Sequence, residues 1–153
     1  MMNSVLDTSF EMSLRILLLL AVSPNAMTVD MLALADTLSV YGANFGLTAE
    51  NLHGESAYVL DEYDTRRELS KEAVKSLALR ELLEVDKSEE GFRYRITANG
   101  KQFINSNVSE YANEYRLAAQ STINFIQNKT ERELFRHMSK RFSVNGEEDN
   151  RNG

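Results

Sequence analysis

Apolar residues recur along this chain first at helical spacing, then at strand spacing, then at helical spacing again. From Ser9 to Val22, Phe10, Leu14, Leu17, Leu18 and Ala21 form one stripe, and Ile16, Leu19 and Leu20 make the segment apolar nearly all round. Such a helix belongs at the centre of a core or under an interface. Ser23-Pro24-Asn25 ends it, because the residue before proline avoids helical geometry. A second helix is predicted over 28–41, with Thr28 as cap, Asp30 in the first turn, and Met27 and Leu32 at staple spacing. Gly42 and Gly46 then punctuate the chain and stop that helix.

A polar connector over 47–63, anchored by Tyr58 and Tyr63, is too long for a simple turn and is expected to hold a short helical piece or to pack as a functional loop. A third helix is predicted over 65–83, with Leu69, Ala73, Val74, Leu77 and Leu82 inward. Arg67, Lys71 and Lys75 are spaced by four along another face, joined by Arg66. The period then shortens to two. Residues 83–86 and 92–96 alternate as strands, and Ser88-Glu89-Glu90-Gly91 is their turn. Thr97 caps a short helix carrying Phe103 and Ile104.

Residues 109–142 return to helical spacing through Tyr111, Tyr115, Ala118, Ala119, Thr122, Ile123 and Ile126. Asn128-Lys129-Thr130 breaks the helix, and Thr130 with Glu133 forms a capping box for a last segment. Its Leu134, Phe135, Met138 and Phe142 suggest a partner-binding face. The predicted fold is mainly α with a small β-hairpin: a winged helix-turn-helix domain over 1–108, a C-terminal helical extension over 109–142, and a disordered acidic tail over 143–153.

Composition narrows the class. Cysteine is absent, which excludes disulfides and thiolate metal sites and fits the reducing cytoplasm. The apolar run 12–22 is too short to span a bilayer, and Asp7 and Glu11 precede it where a signal peptide would be basic, so no membrane role is expected. The net charge of −6 is uneven: −7 over 1–63, +3 over 64–142 and −2 over the tail. That asymmetry suits docking on a charged partner better than gripping DNA by charge alone.

Candidate chemistry is sparse. His53 and His137 are the only histidines, and no phosphate loop or paired metal-ligand motif occurs, so neither catalysis nor a cofactor is expected. Arg66, Arg67, Lys71 and Lys75, with Arg93 and Arg95 on the hairpin, are candidate DNA-phosphate contacts. Interleaved Glu68, Glu72 and Glu81 favour a solvated, self-paired face instead. Tyr41, Asn44, Phe45, Gly46, Asn51, Leu52 and His53 form a candidate partner loop, in which the asparagines would by default satisfy backbone groups at a helix end.

These residues carry a resemblance. Ser39-Val40-Tyr41-Gly42-Ala43-Asn44-Phe45-Gly46, then Asn51-Leu52-His53, the basic helix and a wing ending Phe92-Arg93-Tyr94-Arg95-Ile96 resemble the middle component of ABC-three-component systems. Those systems overlap with the Lamassu family of bacterial anti-phage and anti-plasmid defence. The likeness covers about residues 9–116. The family commonly has histidine where Tyr41 stands, aspartate where Asn44 stands, and proline where Gly54 follows the Leu-His pair. The resemblance implies a small non-catalytic subunit working with an SMC-like ATPase and an effector, often a nuclease, and reaching DNA through the complex. The other reading of the same pattern is a free-standing winged-helix transcription regulator.

Overall fold

A computed structural model describes residues 9–54, 59–89 and 91–140. The chain is mainly helical with one antiparallel hairpin. Its elements are α1 (Ser9–Val22), α2 (Val29–Val40), a 3-10 turn (Gly42–Phe45), α3 (Val59–Leu79), β1 (Leu83–Ser88), β2 (Gly91–Ile96), α4 (Ala98–Asn105), α5 (Glu110–Ile126) and a last helix, α6, over 131–140. The expected tail and Phe142 lie outside the described residues.

α1 lies where its apolar character predicts. Met12, Ile16, Leu17, Leu18 and Leu19 are essentially inaccessible, each worth about 1.5–3 kcal/mol of burial. Phe10 departs from the expected stripe. It is 57% exposed, its ring set edge-on to Phe103 of α4. α2 begins as read: Thr28 Oγ1 accepts from the Met31 amide at 3.1 Å.

α3 begins at Val59, earlier than expected, and absorbs the end of the connector. It also stops earlier. Glu81 adopts a left-handed φ of 62°, the Leu82 amide donates to Leu77 O at 2.9 Å, and the Glu81 amide donates to Ala78 O at 3.0 Å. This is a Schellman stop built without glycine, so composition did not mark it.

The hairpin pairs Leu83 with Ile96, Val85 with Tyr94 and Lys87 with Phe92 on one face. The acids Glu84 and Asp86 and the bases Arg93 and Arg95 share the other. A single bridge between Met27 and Tyr94 ties the segment ahead of α2 to β2. Thr97 caps α4, accepting from the Gly100 amide at 3.0 Å. Gly100 is required by packing, since a Cβ there would sit 2.4 Å from the Leu82 carbonyl oxygen.

α5 and α6 are not an appendage to a domain ending at 108. α5 packs on both α1 and α2, and Tyr115, Ala119 and Ile123 belong to the central core. α6 starts at the predicted Thr130 cap, whose Oγ1 accepts from the Glu133 amide at 3.1 Å; Glu133 Oε1 takes that hydroxyl at 3.2 Å, where a full capping box would take the Thr130 amide. Its Leu134 and Met138 are buried in this chain's own core, so they are not a free partner-binding face. Phe135 is 46% exposed and leans on the Tyr63 ring at 5.6 Å.

Candidate functional site

The densest chemistry lies inside the helices. Arg15 is the one base on apolar α1, and Asp36 sits on α2 among buried neighbours. Each would be costly alone, since an unpaired buried ion loses its hydration. They meet across the core: Arg15 Nε donates to Asp36 Oδ1 at 2.8 Å, and its Nη2 reaches Oδ2 at 3.4 Å. Nη1 donates to Glu11 Oε1, one turn earlier on α1, at 2.8 Å. From α5, the Tyr115 hydroxyl donates to Asp36 Oδ1 at 2.6 Å. From α3, Arg66 Nε lies 3.4 Å from Asp36 Oδ2, and its Nη1 lies 3.6 Å from Glu62 Oε2. Neither contact has hydrogen-bond geometry.

The motif loop closes over this cluster. Tyr41 donates its hydroxyl to Glu62 and lays its ring under the Arg66 guanidinium, 5.1 Å from the centroid. His53 Nε2 stands 2.7 Å from the Tyr111 hydroxyl and 3.4 Å from Glu11 Oε1. Asn51 does what its position suggested: Oδ1 accepts from the Ala43 amide at 2.9 Å, and Nδ2 donates to Asn44 Oδ1 at 2.9 Å. The Leu52 amide donates to Val40 O at 2.9 Å. Gly46 supplies the left-handed φ of 72°. Phe45 is buried with its ring 5.9 Å from that of His137 on α6.

Electrostatics follow from the enclosure. Burial alone would raise the Asp36 carboxyl, but Arg15, Arg66 and the Tyr115 hydroxyl outweigh it and hold it below the usual carboxylate range. Glu11 behaves likewise: burial raises it, while His53, Tyr111 and Arg15 together lower it. Burial and then Asp36 push the Tyr115 phenol well up. Asp36 has no exposed surface, so in this conformation its carboxylate meets no solute. Its work is to tie α1, α2, α3 and α5 together through directional contacts. Among the described residues, no group of three or more His, Asp or Glu gathers as a metal ion would require.

The basic stripe divides. Arg66 is a correction: it is 6% exposed and turned inward, so it is not available to a phosphate. Its spacing with Tyr63, Ser70, Ala73 and Leu77 marks it as inward, a signal hidden by its neighbour Arg67. Arg67 is outward and donates to Asp30 at 2.7 Å, and Lys71 pairs with Glu68 at 3.2 Å. Lys75 and Arg95 are exposed, with Arg95 paired to Asp86, and Arg93 is half-buried. Sequence reasoning missed the cluster's other members, Arg15, Asp36, Glu11 and Glu62. The available signal was a charged residue, Arg15 or Asp36, set among the apolar residues of a mostly apolar helix.

Against known families, the model of the ABC-three component (ABC-3C) system Middle Component 2 matches residues 5–148. The chain belongs to that family. The match runs beyond α5 and α6, so this Middle Component 2 chain carries the family pattern through the helices that complete its core. As a middle component it is one part of a multi-component system, which implies partner chains. No curated protein and no solved structure matches it. Among the described residues, no helix is long and apolar enough to cross a membrane.

Proposed function

We propose that this Middle Component 2 chain is a non-catalytic adaptor in a cytoplasmic bacterial defence complex of the Lamassu type. It links an SMC-like ATPase that senses foreign DNA to an effector nuclease. The observation that carries the reading is the family match over nearly the whole chain, which places it in a system built of several components. The internal use of its charged groups supports it. The residues best equipped for chemistry, Asp36, Arg15, Arg66 and Tyr115, are occupied with one another.

We read the architecture as a winged helix. The bridge of Met27 to Tyr94, the order α1, α2, α3 and hairpin, and the outward bases of α3 support that reading. In such a fold α3 would be the recognition helix and the hairpin the wing. The pairing of Arg67, Lys71 and Arg95 with local acids favours phosphate-level contact within a larger assembly over base reading.

The test is co-expression with the system's ABC ATPase followed by size-exclusion chromatography. Co-elution in at least one nucleotide state is expected, and separate elution in every state removes the reading. The second reading, a free-standing winged-helix regulator, is favoured only by the outward bases of α3. It requires a protected palindrome in a footprint at low salt.

A further inference from the structure

The last helix carries a row of bases that no described residue neutralises. Leu134 and Met138 turn α6 toward the core. At about 100° per residue, the opposite side of the helix is centred on Arg136, with Arg132 one turn before it and Lys140 one turn after. All three are exposed, and successive members stand about 6 Å apart along the axis. Among the described residues none of them makes an ion pair. The acids of the same helix are occupied: Glu131 accepts the Thr28 hydroxyl at the start of α2, and Glu133 takes the Thr130 hydroxyl. The bases of α3 differ, because Arg67 is paired with Asp30 and Lys71 with Glu68. The two rows adjoin. Phe135 of α6 leans on the Tyr63 ring, one turn before Arg67 on α3, and Glu131 reaches Thr28, two residues before Asp30. Asp64, exposed beside Tyr63, offsets at most one of the three bases.

We propose that α6 lays Arg132, Arg136 and Lys140 along the phosphate backbone of a nucleic acid, carrying the α3 contact past the junction of Tyr63 and Phe135. The proposal rests on the phosphate-level reading of α3 only for its neighbour; the α6 row is a separate surface. Its composition selects the occupant. A protein interface has an apolar centre and is poor in lysine. The arc from Arg132 to Lys140 holds no apolar side chain, and exposed Phe135 lies at its edge against Tyr63. A phosphate backbone asks for evenly stepped cations and no apolar cover. The net charge of −6 opposes any polyanion, but charges farther than about 8 Å away are largely screened at physiological salt, so the local row decides.

The experiment uses the full chain and the fluorescence anisotropy of a labelled DNA duplex over a series of salt concentrations. Each phosphate neutralised contributes about 0.9 to the slope of log affinity against log salt. Arg132→Gln, Arg136→Gln and Lys140→Gln together should therefore make the slope shallower by about 2.7 and weaken low-salt binding at least tenfold, with the far-ultraviolet circular dichroism unchanged. Arg136→Gln alone should remove about 0.9 of the slope, which keeps the test valid if the triple variant disturbs α6. A duplex that does not bind at low salt, or a slope unchanged in the variants, overturns the proposal. So does an unlabelled polyglutamate that displaces the duplex as well as unlabelled duplex does at equal charge, because the row would then take an acidic protein. Loss of co-elution with the ATPase in the triple variant assigns the row to a partner chain and also overturns it. An unchanged slope with co-elution kept removes the α6 contact and leaves the adaptor reading standing.

Discussion

Replacing Asp36 with asparagine should damage this protein more than almost any other isosteric change. Asp36 has no exposed surface and takes contacts from Arg15, Arg66 and Tyr115. Removing its charge keeps the shape and leaves two guanidiniums in the core, with Glu11 and Glu62 as their remaining anions. Breaking one side of a buried ion pair costs about 3–5 kcal/mol. A domain of this size has about 5–15 kcal/mol in total, so Asp36→Asn should forfeit about a fifth or more of that. The thermal midpoint should fall by roughly 6–20 °C. Tyr115→Phe serves as the graded control. It removes only the 2.6 Å bond to the carboxylate and should cost about 1.5–3 kcal/mol. Urea unfolding followed by circular dichroism at neutral pH reads both. A loss below about 1 kcal/mol for Asp36→Asn would refute the claim that the cluster holds the helices together.

Four further outcomes are expected. Glu11 and Asp36 titrate below their ordinary values of 4.5 and 3.8, so the unfolded chain binds more protons in that window. Stability should therefore be level above about pH 5 and fall as pH drops below about 4, read by urea midpoints across a pH series. The raised phenol of Tyr115 has the opposite sign: its contribution is lost as pH climbs above 10. Gly100→Ala should cost roughly 1–3 kcal/mol, because the new Cβ meets the Leu82 carbonyl and the Ile96 side chain; an unchanged urea midpoint would show that α4 shifts freely. Charge reversal of Arg67 and Lys71 should lower the salt dependence of DNA binding by the assembled complex while leaving assembly intact, and an unchanged slope would remove α3 from the DNA contact.

Much of this fold was legible. The limits of α1, the Thr28, Thr97 and Thr130 caps, and the hairpin follow from local chemistry that tertiary packing does not override. What was hidden depends on three-dimensional pairing. The stop of α3 uses Glu81 in a conformation that side chains seldom adopt. The burial of Leu134 and Met138 looks in sequence like any amphipathic face, and only folding shows that the cover is α6's own chain. Arg66 and Arg67 are identical in type and adjacent, yet the helical turn between them sends one inward to Asp36 and the other outward to Asp30. The residues that carried the family resemblance, Tyr41, Asn51 and His53, brace the loop and the ionic cluster. Their pattern therefore reported architecture before it reported any ligand.

The most direct test of the adaptor account is sedimentation velocity of the fluorescently labelled chain, alone and mixed with the purified ATPase of its system. The account predicts that the label moves into a heavier boundary when the ATPase is present. A boundary that stays unchanged in every nucleotide state, while a DNA palindrome alone shifts it, would contradict the account.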